Sequence, residues 1–552
     1  MLRERNWGKL RWLGVPLAAA LLTGCGDSAE QTDTSGGVTG VTLSGSVFAS
    51  YVDGASCNVQ DINGNVIAGP FTTSASGGYS IVLPDSHLAE NLVVECNGGT
   101  FTDEATGLPQ TAGAMSAYIA GGTASVGTSV HVTPSTTIIH RLITSHNKSA
   151  DIFEAVFGFT PDFSVAPTDA TNPTAGASDA RLLAGLRAAA FSQLAMDLGV
   201  DQFALITALA DDLADGALDG NNDGVPVLIG GVSYPDIQSR FANAFLTFNN
   251  GTSNKAGLDN SKLGFLPFAK TVLTDNYKMT YVEGMHKAID GKTSFKINVT
   301  NHNDVAQERL EVSILPLMHM DNDKKHRTSY IPDCNEMAAG EYHCTVYYVM
   351  PSVRVMGDMV MSMGYWELAV TAGEDTVKFY PKVTNAMGDT SQVKLKAKDS
   401  DGDTVMAMAG GSENRTYTLF KHDLTGTDGN YNLDLFIAAK ESMMSFPAIS
   451  VGDTLNLGSG MHALPITSIG VSASLTGEDG SWEPLVPVEG KVGRWSIGSL
   501  PLSDDVQASI YVKLVVNNLP KAINGADYAV FQLTPGGGMM GDMPMDGMDM
   551  AM

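Results

Sequence analysis

Trp366-Glu367-Leu368-Ala369-Val370 alternates inward apolar positions with outward ones, and Phe295-Lys296-Ile297-Asn298-Val299 does the same. A period of two belongs to a β-strand with one buried face. Tyr79-Ser80-Ile81-Val82-Leu83 and Ile510-Tyr511-Val512-Lys513-Leu514-Val515-Val516 carry the pattern toward both ends of the chain. Turn signals such as Asp61-Ile62-Asn63-Gly64-Asn65 separate such runs. At 552 residues the chain exceeds what one core holds. The expected fold is therefore mainly β, as several β-sandwich modules. One region breaks the period. Between Ala180 and Leu213, the residues Leu182, Leu183, Leu186, Ala189, Phe191, Leu194 and Leu198 recur at three- and four-residue intervals. That is helical spacing. Asp179 stands where an N-cap is expected, and Asp215-Gly216 where the helix should stop. Phe241, Phe245 and Phe248 repeat the pattern on a later helix.

The predicted order is a targeting segment at 1–24, a flexible linker at 25–40, a first sandwich at 41–125 and a helical subdomain at 126–280. A second sandwich at 281–392, a third sandwich-like domain at 393–535 and a Met-rich tail at 536–552 follow. Arg3, Arg5, Lys9 and Arg11 make a positive leader, and Trp12 to Leu22 is apolar but too short to span a bilayer. It ends in Leu22-Thr23-Gly24-Cys25, which resembles the bacterial lipobox. That resemblance implies lipidation at Cys25, which becomes the mature N-terminus. Gly26, where an Asp would signal retention, implies the outer membrane. The expected location is thus lipid-anchored at the outer membrane, facing the periplasm or the surface. The membrane is a partner through lipid alone.

The other four cysteines fall in pairs within single candidate domains, Cys57 with Cys96 and Cys334 with Cys344. An oxidising compartment makes both pairs disulfides; the alternative for Cys334 and Cys344 is a thiolate ligand pair. The formal net charge of −27, from 33 basic and 60 acidic residues, repels phosphate backbones and excludes nucleic acid as a partner.

Two modules resemble known families. The order Gly45, Gly54-Ala55, Asp61, Gly64-Asn65, Thr72-Thr73, Gly78-Tyr79, Leu83-Pro84 resembles the carboxypeptidase regulatory-like (transthyretin-like) repeat. This implies a seven-stranded sandwich used as a spacer or binding module, with no catalytic residues. Leu315-Pro316-Leu317-Met318-His319-Met320, Gly340-Glu341-Tyr342 and Met363-Gly364-Tyr365-Trp366-Glu367-Leu368 resemble the YtkA-like (FixH-like) periplasmic domain, with Leu317 where a Met is usual. That resemblance implies an exported protein, suspected of metal binding, working beside copper-exporting or oxidase-assembly proteins.

Methionine is clustered. Of 26 Met residues, seven lie in the last fourteen positions and eight between Met318 and Met363. A thioether is a soft, uncharged donor that selects Cu(I) over hard cations. Met318 and Met320 share one strand face, while His319 points to the other unless the strand ends or bulges there. His326 follows on a loop that can fold back. Met359, Met361 and Met363 share the face opposite Trp366 and Leu368, so they are expected to look outward. In the tail, Met543, Met545, Met548 and Met550 alternate with Asp, Gly and Pro and cannot build a core. Against this stands plain packing, since Met also fills cores.

Asp219-Gly220-Asn221-Asn222-Asp223-Gly224 matches the start of a Ca²⁺ loop, but Gly230 stands where the bidentate Glu belongs. Calcium at Asp219, Asn221 and Asp223 competes with an Asx-rich turn. Asp399-Ser400-Asp401-Gly402-Asp403 is a weaker match. Gly-x-Ser-x-Gly, His-Glu-x-x-His, Walker and dinucleotide motifs are all missing, so an enzyme is not expected. The expected function is to bind or buffer Cu(I) through the Met/His clusters. Its rival is a structural or adhesive surface lipoprotein whose sandwiches bind proteins or glycans.

Overall fold

A computed structural model describes residues 40–536 apart from positions 126, 162, 265, 358, 408, 409, 458–460 and 479. The targeting segment, Cys25 and the tail methionines Met543, Met545, Met548 and Met550 lie outside the described residues. Within them the fold is mainly β: antiparallel sandwich modules and one helical subdomain. No helix among the described residues is long and apolar enough to cross a membrane.

In the first module, Gly40–Ser46 pairs with Gly78–Pro84 across from a sheet ordered Val66–Thr72, Ser56–Asp61, Leu92–Asn97, Met115–Ile119. Leu43, Val59, Leu83 and Val94 fill the space between the sheets. Cys57 lies directly opposite Cys96 in register, Cα to Cα 4.1 Å, and the two form a disulfide between neighbouring strands.

The helical subdomain contains α1 (Pro134–Thr144), α2 (Asp151–Phe157), α3 (Asp179–Leu198), α4 (Gln202–Asp212) and α5 (Ile237–Asn250). The periodic run expected from Ala180 to Leu213 is two helices. Gly199 adopts φ +65°, a left-handed C-cap, and its N–H returns to the Ala195 and Met196 carbonyls. Asp201 then caps α4 by accepting from the N–H groups of Phe203 and Ala204. The N-cap of α3 is Ser178. Asp179 is its first helical residue, where a carboxylate still favours the helix dipole, and it pairs with Lys262 at 3.0 Å. Gly216, at φ 103°, ends the short turn after α4, at the stop the sequence marks. Phe241 packs against Phe157 (4.9 Å) and Phe191 (4.8 Å) at the centre of the bundle.

The second module sets one sheet, Thr271–Leu273, Lys278–Glu283, Gly291–Thr300, Glu341–Tyr348, Ser329–Tyr330, against another, Lys325–His326, Val312–His319, Tyr365–Ala372, Asp375–Phe379. Burial alternates along Gly291–Thr300 and Tyr365–Ala372, as the period-two pattern requires. The Cys334–Cys344 disulfide staples the two sheets: Cys344 sits in Glu341–Tyr348, and the Cys334 N–H donates to the Val312 carbonyl. It also removes both thiols from any ligand set.

The third module packs the sheet holding Thr416–Thr427 and Asn430–Ala439 on the sheet holding Ile469–Ser474 and Ala508–Val516. Beside its core lies a buried ion cluster. Arg415 donates to Asp403 (2.7 Å), Tyr417 Oη donates to the same carboxylate (2.6 Å), and Lys521 reaches Asp401 at 3.0 Å and Asp403 at 3.3 Å. The Asp399–Asp403 motif thus holds protein cations.

The modules share buried contacts. Tyr347 of the second stacks on Phe436 of the third at 3.9 Å, with Val349, Phe420 and Ala438 around them. Lys292 Nζ donates to His422 Nε2 at 3.3 Å, and His422 Nδ1 meets the Tyr347 hydroxyl at 2.6 Å. Tyr365 and Tyr380 pack into the helical core, where Tyr380 Oη donates to Asn243.

Two outcomes follow. Asp403→Ala leaves Arg415 and Lys521 with one carboxylate between them, so denaturant unfolding should show a loss of about 3–5 kcal/mol. A loss under ~1 kcal/mol means water solvates the cluster. Burial pushes the His422 imidazole down to about 3, so below pH ~6.5 the unfolded chain takes up a proton the native one refuses. Native stability from this group is full above that pH and declines as the pH falls toward about 3. His422→Asn should flatten unfolding free energy against pH by up to about 1.4 kcal/mol per unit. An unchanged slope assigns the acid sensitivity to other groups.

Candidate soft-metal site

Val312–His319 pairs with strands on both sides. Met318 lies opposite His326 on one neighbour and Trp366 on the other. Residues opposite one another in an antiparallel pair face the same way. Met318, His326 and Trp366 therefore all point inward, at 0 %, 2 % and 0 % exposure. His319, one residue on, pairs with Tyr365 and faces away. It stacks on the Tyr365 ring (4.5 Å, 7°) and its Nε2 lies 3.4 Å from Glu367 Oε2. The structure thus separates the two candidate histidines: His326 joins Met318 and His319 does not.

The surroundings of His326 set its chemistry. Nδ1 is 2.7 Å from the Arg327 carbonyl, which only accepts, so Nδ1 carries the proton. Burial pushes the imidazole down to about 4, leaving it neutral at pH 7 with Nε2 bare. Nε2 lies 3.0 Å from the Met350 sulfur. The Trp366 indole N–H donates to the Met350 carbonyl at 3.2 Å, and its ring stands edge-on to His326 at 5.2 Å. The third module closes one side. Arg327 N–H donates to Met443 O at 2.9 Å, Ser329 Oγ to Phe446 O at 2.7 Å, and the Phe446 ring is 6.4 Å from His326.

The remaining methionines divide. Met320 and Met363 are half-buried against the same core. Met359 and Met361 sit on the hairpin of Val353–Met356 with Met359–Ser362, at 61 % and 46 % exposure. The outward stripe expected for Met359, Met361 and Met363 is broken, because the strand stops at Ser362 and resumes at Tyr365. Gly364, at φ +136°, makes the break. A Cβ there would lie 2.1 Å from the His319 carbonyl oxygen, so only glycine fits. Met350 was missed in the sequence because it stands alone before Pro351, outside any Met-x-Met spacing.

The calcium candidate folds as a tight hairpin, Asn221–Asn222 against Val225–Pro226. The Asp212 carboxylate accepts the N–H groups of Gly220 and Asn221, Asp215 accepts that of Asp223, and the Asn221 side chain accepts that of Gly224. Of these, the bond from the Gly224 N–H to the Asn221 side chain is a local Asx-type bond. Among the described residues no group of three or more His, Cys, Asp or Glu side chains is placed to hold a metal ion.

No family model matches the chain, and no curated protein matches it. Among solved structures, domains 5 and 6 of the S-layer protein SbsC share 10 % identity over 48 % of this chain and 98 % of that one, with a TM-score of 0.14. The Yersinia pseudotuberculosis adhesin InvE shares 10 % over 47 % and 60 %, with a TM-score of 0.15. The Escherichia coli adhesin FdeC shares 11 % over 47 % and 66 %, with a TM-score of 0.13. Likenesses this weak decide nothing about the site.

The division among methionines has a measurable consequence. Met318→Ala opens a cavity in the second core and should lower unfolding free energy by about 2–5 kcal/mol. Met359→Leu with Met361→Leu should stay within ~0.5 kcal/mol, as exposed positions do. Equal losses in both variants would place the hairpin in a core.

Proposed function

We propose that this chain is a lipid-anchored, non-enzymatic envelope protein whose fused modules serve as a structural or adhesive scaffold at the cell surface. The carrying observation is the buried seam between sandwiches, centred on Tyr347 against Phe436. Modules joined through buried aromatic contacts transmit force and hold their binding surfaces in one arrangement, whereas modules on bare linkers reorient. Proteins or glycans are the ligand classes such exposed strands and loops recognise. The lipobox-like Cys25 supplies the anchor, and the acidic surface keeps the scaffold soluble.

A second function, binding or buffering of Cu(I), is favoured by one observation: His326 Nε2 and the Met350 sulfur face each other at 3.0 Å. Copper-exporting or oxidase-assembly proteins are then the partners, and the tail methionines a scavenging segment.

Antibody labelling of intact against permeabilised cells tests the scaffold. It should label intact cells strongly, and Cys25→Ser should move the protein to the soluble fraction. Labelling only after permeabilisation, with unchanged adherence and envelope integrity in cells lacking the protein, rules the scaffold out.

A further inference from the structure

The contact between His326 and Met350 is chemically unusual. The Arg327 carbonyl takes the Nδ1 proton, so Nε2 presents a lone pair. A thioether sulfur carries no hydrogen either. Two Lewis bases therefore meet at 3.0 Å with no proton between them. Packing alone gives little reason to aim one lone pair at another. A cation accepted by both turns the contact into a chelate. Each donor is also held from behind. A backbone carbonyl on the far ring nitrogen is the usual support of a metal-ligating histidine. The Trp366 indole N–H anchors the Met350 backbone.

A third donor is in reach. Met318 faces His326 across the strand pair on the same inward side, at a Cβ separation of about 4.5–5.5 Å. Its flexible side chain swings a sulfur over several ångströms. Its methyl end comes within 3.2 Å of the Cβ position of Gly364, the residue that precedes Tyr365 and Trp366. Trp366, opposite Met318 in register, supplies an aromatic wall.

We infer that His326 Nε2, Met350 Sδ and Met318 Sδ bind one soft monovalent cation, Cu(I) or its surrogate Ag(I), beside Trp366. This rests on the copper function offered above and names its site. The donor set selects the ion. It has one imidazole, two thioethers and no carboxylate. Calcium and magnesium require oxygen ligands. Thioethers favour Cu(I), and a single charge is far cheaper to bury among neutral donors than a double one. The site lies at the seam between modules, with Phe446 and Met443 on the outer side, so a bound ion also braces the third module.

The test uses the full mature chain with Cys25→Ser, titrated anaerobically with Cu(I), and separately with Ag(I), against a competing chelator. One ion per chain should bind in the fixed site. Met350→Leu keeps the apolar volume and should weaken that binding at least about a hundredfold, more than the 10–100-fold typical of losing a supporting group. Met318→Leu and His326→Gln should weaken it likewise. Met359→Leu with Met361→Leu should leave it unchanged. Circular dichroism and melting show that each variant is folded, and if His326→Gln is not, Met350→Leu decides alone. Nitrogen-15 labelling of histidine adds a second readout, a large shift at His326 Nε2 with none at His319. Unchanged affinity in folded Met350→Leu overturns the site and makes the cluster plain core packing. If binding survives that change but vanishes with Met543→Leu, Met545→Leu, Met548→Leu and Met550→Leu, the site falls while copper binding stands. Failure of the unmodified chain to compete with the chelator overturns both.

Discussion

The register of Val312–His319 against its two neighbours is the constraint on which the candidate site depends. It places Met318 opposite both His326 and Trp366. A slip of that strand by one residue would turn its faces over, bringing His319 inward and Met318 out. The register is held by Trp366, which is fully buried, packs on Tyr348 at 4.8 Å and spends its one donor on the Met350 carbonyl. Gly364 lets the chain turn into the strand just before Tyr365 without striking the His319 carbonyl. Together these pin the inner face at the end of the second sandwich where the soft donors collect.

Charge is managed differently in the interior and at the surface. The chain carries a large acidic excess, which favours solubility and repulsion between copies. In the third module, carboxylates that go inside meet the protein's own cations. Asp401 and Asp403 are met by Lys521 and Arg415, and Arg415 also donates to the Lys440 carbonyl and the Asn456 side chain. Asp212 instead takes backbone N–H groups of the following hairpin; even so, burial lifts it to about 7. The Asp399–Asp403 motif, which looks like a cation loop in one dimension, is thus satisfied by lysine and arginine. Buried ion pairs are poor sources of net stability but severe to break, so the third module tolerates little change there.

Much of the architecture was legible because it is local. Alternation in Phe295–Val299 and Trp366–Val370 depends only on side chains seeking one face, and the helical spacing from Leu182 to Leu198 on the same effect at another period. Both disulfides could be paired because each joins residues of one candidate module. The break between α3 and α4 was not seen, since Gly199 and Asp201 act as punctuation inside an otherwise unbroken apolar rhythm. The face of Met363 was misjudged for a similar reason: one positive-φ glycine ended the strand that the alternation was counted along.

Composition and spacing determined by themselves that the chain is mainly β with a helical insert, and that methionine crowds the second module. They also determined that Met318 and His319 face opposite ways, because a strand alternates whatever surrounds it. Only the tertiary structure decided which histidine joins Met318, and that Met350 is the sulfur facing it. Strand pairing and sheet packing join residues distant in the chain. Their geometry comes from filling a shared core around Trp366, which no local period encodes.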